Sequence, residues 1–291
     1  MDERDWLVER FEAHRRHLRA VAYRMLGSLS EADDAVQEAW VRVSAAETSD
    51  VENLGGWLTT VVARVCLNML RSRTARREEP LAAHVPDPIV SRGDAIDPEH
   101  DALLADSVGL ALLVVLETLT PAERLAFVLH DTFAVPFDEI GPMIGRSATA
   151  ARQLASRARR RVRNATTTPD ADLARQREVV DAFFAAARDG DFDALVALLD
   201  PDVVARSDGG PGAAVVLRGA ASVAGRALMG ARPGALVRPA LVNGTPGVVV
   251  TTDGQAVSVM AFTVSDGKIV EIDALTDPER LAKLDLPVLD D

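Results

Sequence analysis

The chain of 291 residues (31.1 kDa) is 48% hydrophobic and 26% charged, which suits a folded protein of two or three domains and excludes global disorder. Its longest apolar run, 108–116, is half of the roughly 20 residues a bilayer span needs, and the acidic start Met1–Asp5 leads into no apolar segment. A cytoplasmic protein without membrane contact is expected. The single Cys66 excludes an internal disulfide or a cysteine metal cluster, and its neighbours Val65, Leu67 and Met69 favour inert burial. The net charge of −12 (pI about 4.9) would argue against nucleic acid if it were evenly spread. It is not, because residues 146–163 carry seven basic side chains and no acidic one.

Residues 1–77 read as a helical domain, with apolar positions recurring at three and four. Ser30 with Asp33 makes a capping-box-like start, and Ala32, Val36, Ala39, Trp40 and Val43 give the inward stripe of the helix that follows. Asp33, Asp34, Gln37 and Glu38 then share one outer side as a compact acidic patch, which on charge pattern alone also fits a solvated face. The next helix has Trp57, Leu58, Val61, Val62, Val65 and Met69 inward. Arg64, Asn68 and Arg71 lie outward, ahead of Arg73, Arg76 and Arg77, and suit phosphates and displaced bases. Residues 78–99, with Pro80, Pro86, Pro88 and Pro98, cannot continue a helix and read as a linker.

A second helical domain is expected over 100–163. In it Ile140, Met143 and Ile144 pack inward, Gly145 makes a turn and Ser147 caps a second helix, which together form a helix-turn-helix. The second helix puts Ala151, Leu154, Ala158 and Val162 inside and presents Arg152, Gln153, Ser156, Arg157, Arg159, Arg160, Arg161 and Arg163, a surface suited to a major groove. Gly141-Pro142 in the first helix weakens that turn, since proline removes an intrahelical donor. After a short linker at 164–171, residues 172–291 read as an α+β domain. Two helices come first, then β-branched runs separated by Asp253-Gly254 and Asp266-Gly267.

Three stretches carry a resemblance: Glu31–Trp40, Gly56–Arg64, and Leu119-Thr-Pro-Ala-Glu-Arg124 with the helix-turn-helix behind it. In that order and spacing they resemble an extracytoplasmic-function sigma factor over residues 8–163. The proline-rich linker and added domain resemble the SigJ type, whose extension is SnoaL-like with an NTF2 cone. The fold class implied is two all-α DNA-binding domains (sigma regions 2 and 4) followed by an α+β NTF2-like cone. The resemblance implies that Asp33, Asp34, Gln37 and Glu38 dock on the clamp helices of the largest polymerase subunit. Arg64, Asn68, Arg71 and Arg73 would contact the minus-ten element. Ser147, Thr149, Arg152, Gln153, Ser156, Arg157 and Arg160 would read the minus-thirty-five element, with the far side of that domain on the polymerase flap. Trp40 and Trp57 read as core rather than stacking surfaces.

In the linker, Val85–Val90 resembles the subgroup's Trp-Leu-Pro-Glu-Pro segment without its tryptophan. Asp208–Gly212 and Asp277–Leu281 resemble its two extension signatures with substitutions. Pro86, Asp87, Pro88, Asp208, Gly209, Gly210, Asp277, Pro278 and Leu281 are therefore the expected regulatory contacts, in a clamp packed on the linker and the DNA-binding domains. All five histidines precede residue 131, so the extension lacks the histidine and acid pairs of cyclases, and no catalysis, cofactor or metal is expected. Asp208, Asp253 and Asp273 remain as acids there, Asp253 reading as a turn residue. A hydrophobic cone can hold a small ligand. Two other readings stay open on the residues alone: a one-component helix-turn-helix regulator sensing a ligand in the cone, which leaves the acidic helix unexplained, and a cyclase-like enzyme.

Overall fold

The computed structural model describes residues 3–46, 53–75, 84–92, 109–165, 167–210, 212–230 and 234–289. The chain divides into two compact units. Among the described residues, the first holds 3–75 and 115–164, and the second holds 84–92, 109–114 and 165–289. The first helical region and residues 115–163 of the second thus fall in one unit, and the proline-rich segment groups with the C-terminal domain. Arg76, Arg77 and the linker residues Pro80 and Pro98 lie outside the described residues.

The first unit begins with α1 (Glu3–Leu26), α2 (Leu29–Ser44) and α3 (Leu54–Ala75), closed around Phe11, Leu18, Met25, Leu26, Leu58 and Leu67. Gly27, at φ +73°, ends α1 with its N–H on the Tyr23 carbonyl, and Ser28 then caps α2 by accepting from the Glu31 N–H. The cap is therefore Ser28 and not Ser30, because the left-handed glycine brings the chain into α2 two residues earlier. Ala32, Ala35, Val36, Ala39 and Val43 are buried along α2, while Trp40 is half-buried with its ring 5.0 Å from that of Phe11.

Helix α4 (Leu110–Glu117) has residues in both units. Helix α5 (Pro121–Phe127) starts on a full capping box between Thr120 and Glu123 with Pro121 in its first turn. A π-helical turn (Val128–Thr132), α6 (Phe137–Met143) and α7 (Ala148–Ala165) follow. Buried Arg124 ties this set to the first three helices, donating from Nη1 to the Met25 carbonyl (3.0 Å) and to Glu117 Oε1 (2.8 Å). Nearby the Arg24 guanidinium lies 5.0 Å over the Phe133 ring, and His17 meets that ring edge-on at 5.2 Å.

The second unit packs α8 (Leu173–Asp189), α9 (Phe192–Leu198) and α10 (Ala220–Gly230) with a seven-stranded sheet. Asp172 and Asp191 cap α8 and α9, and Gly190 at φ +74° separates them. The strands are β1 (Val90–Ser91), β2 (Leu199–Asp208), β3 (Val215–Arg218), β4 (Leu236–Val242), β5 (Thr245–Thr252), β6 (Gln255–Ser265) and β7 (Lys268–Leu275). Their order is β1-β4-β5-β6-β7-β2-β3, antiparallel except for β2 beside β7. The hairpin turns at Asp253-Gly254 and Asp266-Gly267 have positive φ at both residues, as does Asn243-Gly244, so all three suit the twist of the strands they join. The core between helices and sheet is apolar, built on Val180, Leu195, Val203, Val223, Val248 and Ile272. The rings of Phe183, Phe184 and Phe262 fill it with centroids 5.5 to 5.9 Å apart. A short helix α11 (Pro278–Leu281) follows β7.

Candidate polymerase, promoter and linker-binding surfaces

On α2 the periodicity that buries the alanine and valine stripe leaves Asp33, Asp34, Gln37 and Glu38 all exposed on the opposite side. Asp33 takes a hydrogen bond from Arg19 Nε (2.6 Å), and Glu38 pairs with Arg42 one turn on. Asp34 and Gln37 make no hydrogen bond or ion pair among the described residues, so their capacity is open to a partner. On α3 the exposed residues Arg64, Asn68 and Arg71 share one side by their spacing of four and three. Arg73 does not join them. Its Nη1 donates to the Leu26 carbonyl (3.3 Å) and its guanidinium pairs with Glu31, so it braces α3 against the end of α1 and the start of α2. Cys66 is fully buried, and burial pushes its thiol well above the ordinary value.

In the helix-turn-helix, Ile140, Met143 and Ile144 are buried and Gly145 adopts φ +68°. Gly141 has a role its sequence context hid. A Cβ there would lie 2.8 Å from the Arg146 carbonyl oxygen, so only glycine lets the turn close on α6. Helix α6 runs through exposed Pro142 to Met143, and the Gly141 carbonyl is used by the Arg146 N–H (2.9 Å). Ser147 Oγ accepts from the Ala150 N–H (3.2 Å) as the cap of α7. Ala151, Leu154, Ala155 and Ala158 are buried, Val162 only partly. Ser147, Thr149, Arg152, Gln153, Ser156, Arg157 and Arg160 are all exposed. Several arginines are nonetheless held: Arg152 lies 5.3 Å over the Phe137 ring, Arg159 Nε is 2.5 Å from Asp131, and Arg157 and Arg161 both reach Glu123.

The third cluster lies within the second unit. Asp208, at the end of β2 and 1% exposed, accepts on Oδ2 from the Val85 N–H (3.0 Å) and from Arg280 Nη1 (2.8 Å), with His84 Nδ1 at 3.0 Å. Its Oδ1 accepts from the Gly210 N–H (3.1 Å). Arg280 also donates from Nε to Asp87 Oδ1 (2.9 Å) and from Nη2 to the Val85 carbonyl (2.6 Å). Burial works against ionisation of Asp208, but the bonds from His84 and from the Val85 and Gly210 N–H groups outweigh it and hold the carboxyl well below the usual range. Asp277 caps α11 through the Glu279 and Arg280 N–H groups, Pro278 sits in its first turn, and Leu281 is buried beneath. Gly210, at φ +89°, leaves no room for a side chain, since a Cβ would lie 2.8 Å from Asp277 Oδ2. A Cβ on Gly209 would press on Ala213 at 3.0 Å. Pro86, Asp87 and Pro88 are buried, and beyond them Ile89 exchanges hydrogen bonds with Asn243 (3.0 and 2.8 Å) before β1 pairs with β4.

His84, Asn243 and Arg280 bond the connecting segment to the second unit and were not singled out by the sequence reading. Arg280 stood inside the Asp277–Leu281 signature as the cation of that stretch, and Asn243-Gly244 was a visible turn signal. Nothing local marked His84. Asp253 is the turn residue it was taken for. Asp273 is buried beside Arg206 (3.0 Å) and Glu271, where burial and the second carboxylate raise its pKa against the pull of the arginine.

The Sigma-70 region 2 family model matches residues 10–76 and the Sigma-70 region 4 model matches 109–162. The ECF RNA polymerase sigma factor SigJ of Mycobacterium tuberculosis is 42% identical over 294 residues, covering 94% of this chain and 92% of the relative. The probable ECF sigma factor SigI of the same species is 37% identical, covering 98% of each. The crystal structure of M. tuberculosis SigJ superposes with a TM-score of 0.75 at 38% identity, covering 96% of this chain and 99% of that one. The chain belongs to the extracytoplasmic-function sigma factors. It is a transcription initiation factor that acts with core RNA polymerase at promoter DNA, not an enzyme, and its fold class is two helical sigma domains followed by an α+β domain. The repressor and cyclase readings are not favoured. Among the described residues of this sigma factor, no helix is long and apolar enough to cross a membrane.

Proposed function

We propose that this sigma factor meets core polymerase through Asp33, Asp34, Gln37 and Glu38, docked on the clamp helices of the largest subunit. In the same reading Arg64, Asn68 and Arg71 face the minus-ten element. Ser147, Thr149, Arg152, Gln153, Ser156, Arg157 and Arg160 read the minus-thirty-five element, and the far side of that domain meets the flap. The C-terminal domain is the regulator. Pro86, Asp87 and Pro88 with Asp208, Gly209, Gly210, Asp277, Pro278 and Leu281 form a latch on the segment that joins the two sigma regions, and holding that segment limits how the regions can separate on a promoter.

The observation that carries the regulatory reading is the bonding of Asp208 and Arg280 to the connecting segment. Taking carboxylates and a guanidinium out of water costs several kcal/mol per ion, so a buried ionic cluster is a poor device for stability alone and a good one for fixing a single geometry. The test adds the full chain, or the chain ending at Asn164, to sigma-free core polymerase and maps new transcription starts. Both forms are expected to join the core enzyme, with promoter output differing several-fold. Equal output would refute the latch, and failure of either form to bind core at low salt would refute docking through α2.

A further inference from the structure

Arg157 and Arg161 are one helical turn apart on α7, and each sends a guanidinium to the same carboxylate. Arg157 Nε lies 3.4 Å from Glu123 Oε1, and Arg161 Nη1 lies 3.1 Å from Oε2. Both arginine side chains are about half exposed (51% and 54%), whereas that of Glu123 is 7% exposed. Glu123 is itself immobilised: its Oε2 also accepts from the Thr120 hydroxyl (2.8 Å) and the Thr120 N–H (3.2 Å), and its own N–H donates to Thr120 Oγ1 (3.4 Å). Burial would raise its pKa, but the Thr120 bonds and the two arginines keep it below the usual range, so it is ionised at neutral pH. With about four lone-pair directions to fill, the carboxylate is close to saturated. It offsets the repulsion expected between like charges four residues apart on a helix.

The capping residue of one helix is thus the anchor for two basic side chains of another. We propose that Glu123 is a positioning residue for promoter reading, gripping Arg157 by Nε so that its Nη pair is free to fork onto a base edge, with Arg161 held beside it. The inference rests on the reading of α7 as the duplex-reading helix. Two physical consequences follow. A long side chain ordered before binding loses less freedom when it meets guanine, where an arginine fork makes a two-point contact. Two guanidiniums sharing one carboxylate also present a net single positive charge, which weakens the salt-sensitive attraction that binds any sequence.

The experiment uses the full chain. One probe is a duplex that the wild-type chain enriches from a random-sequence pool, and the other is an unrelated duplex of equal length. Glu123→Gln keeps the side-chain length and the capping acceptor but removes the charge. Its plot of log affinity against log salt is expected to steepen by about one, the ~0.9 per additional phosphate neutralised. Its preference for the enriched duplex is expected to fall roughly 2- to 10-fold, the range for losing the order of one long side chain. Both effects should vanish when Glu123→Gln is added to Arg157→Gln/Arg161→Gln. An unchanged slope and preference overturns the proposal, and so does a change that persists without the two arginines. Should Glu123→Gln unfold, hydrogen exchange at the Arg157 Nε–H of the wild-type chain decides. Slow exchange is expected, and exchange as fast as at Arg160 overturns the grip. If the wild-type chain enriches no duplex, the assignment of α7 as the reading helix fails, whatever Arg157 does.

Discussion

Carboxylates occur in two settings in this molecule. On α2, Asp33, Asp34, Gln37 and Glu38 stand in water, and the two that pair do so with arginines on the same surface. At the latch, Asp208 and Asp87 are almost wholly buried and divide one guanidinium, an imidazole and backbone N–H groups between them. The first set contributes little to folding, since exposed pairs are worth about 0 to 1 kcal/mol, and it keeps its charge available to another molecule. The second set cannot be available to a partner without giving up its internal bonds. Similar residues are therefore left free to meet another molecule in one place and tied into the fold in the other, and burial decides which.

The largest expected effect breaks the buried set. Arg280→Ala strands Asp208 and Asp87 without their cation, and removal of one partner from a buried ionic group costs about 3–5 kcal/mol. The amides of Val85 and Ile89 should lose their protection in hydrogen exchange while those of α2 keep theirs; retained protection would show that Arg280 is not the keystone. Reversing the exposed set, with Asp34→Arg and Glu38→Arg together, should lower affinity for core polymerase at least tenfold, about 1.4 kcal/mol. Thermal unfolding should barely move, and unaltered titration of core enzyme would remove α2 from the interface.

The pH response sharpens the contrast inside the second unit, where two aspartates act with opposite sign. Asp208 titrates below its ordinary value of 3.8 in the fold. Its contribution is complete above that value and is lost as the pH falls further, so Asp208→Asn should flatten the acid limb of the stability curve. Asp273 titrates above the same ordinary value. The fold favours its neutral form, and stability declines as the pH rises from about 3.8 toward the folded value. Asp273→Asn should then be the more stable protein at pH 8, by of order 1 kcal/mol. Parallel curves for wild type and variant would contradict either assignment. The smallest effect is that of Arg19→Ala, which removes the exposed partner of Asp33 and should change stability by less than about 1 kcal/mol in urea titration.

What the sequence displayed was whatever is decided locally. The acidic side of α2, the buried stripe of α7 and the Asp-Gly hairpins all follow from period and turn chemistry within a few residues. The cap of α2 was misplaced because two serines compete for it, and the left-handed conformation of Gly27 settles the choice. Arg73 was grouped with Arg64, Asn68 and Arg71 because it follows them along α3; the carbonyl that takes its Nη1 belongs to α1. Arg157 stood simply among the outward residues of α7 because its partner lies in a different helix, and no local pattern marks Glu123 as more than a member of a capping box. The latch was half visible. Its glycines and aspartates were legible as turn and cap residues, but the meeting of His84, Asp208 and Arg280 depends on how β2, α11 and the connecting segment come together in three dimensions.

The pairing of β1 with β4 has a practical bearing on anyone preparing the C-terminal domain alone. Val90 and Ser91 close one margin of the sheet by bonding to Val242 and Leu241. A fragment that starts at residue 165 carries β4 with its outer amides and carbonyls bare, and such margins seek another chain. It should self-associate as its concentration rises, and a synthetic peptide spanning 84–92 should dissolve those assemblies by refilling the vacant rung.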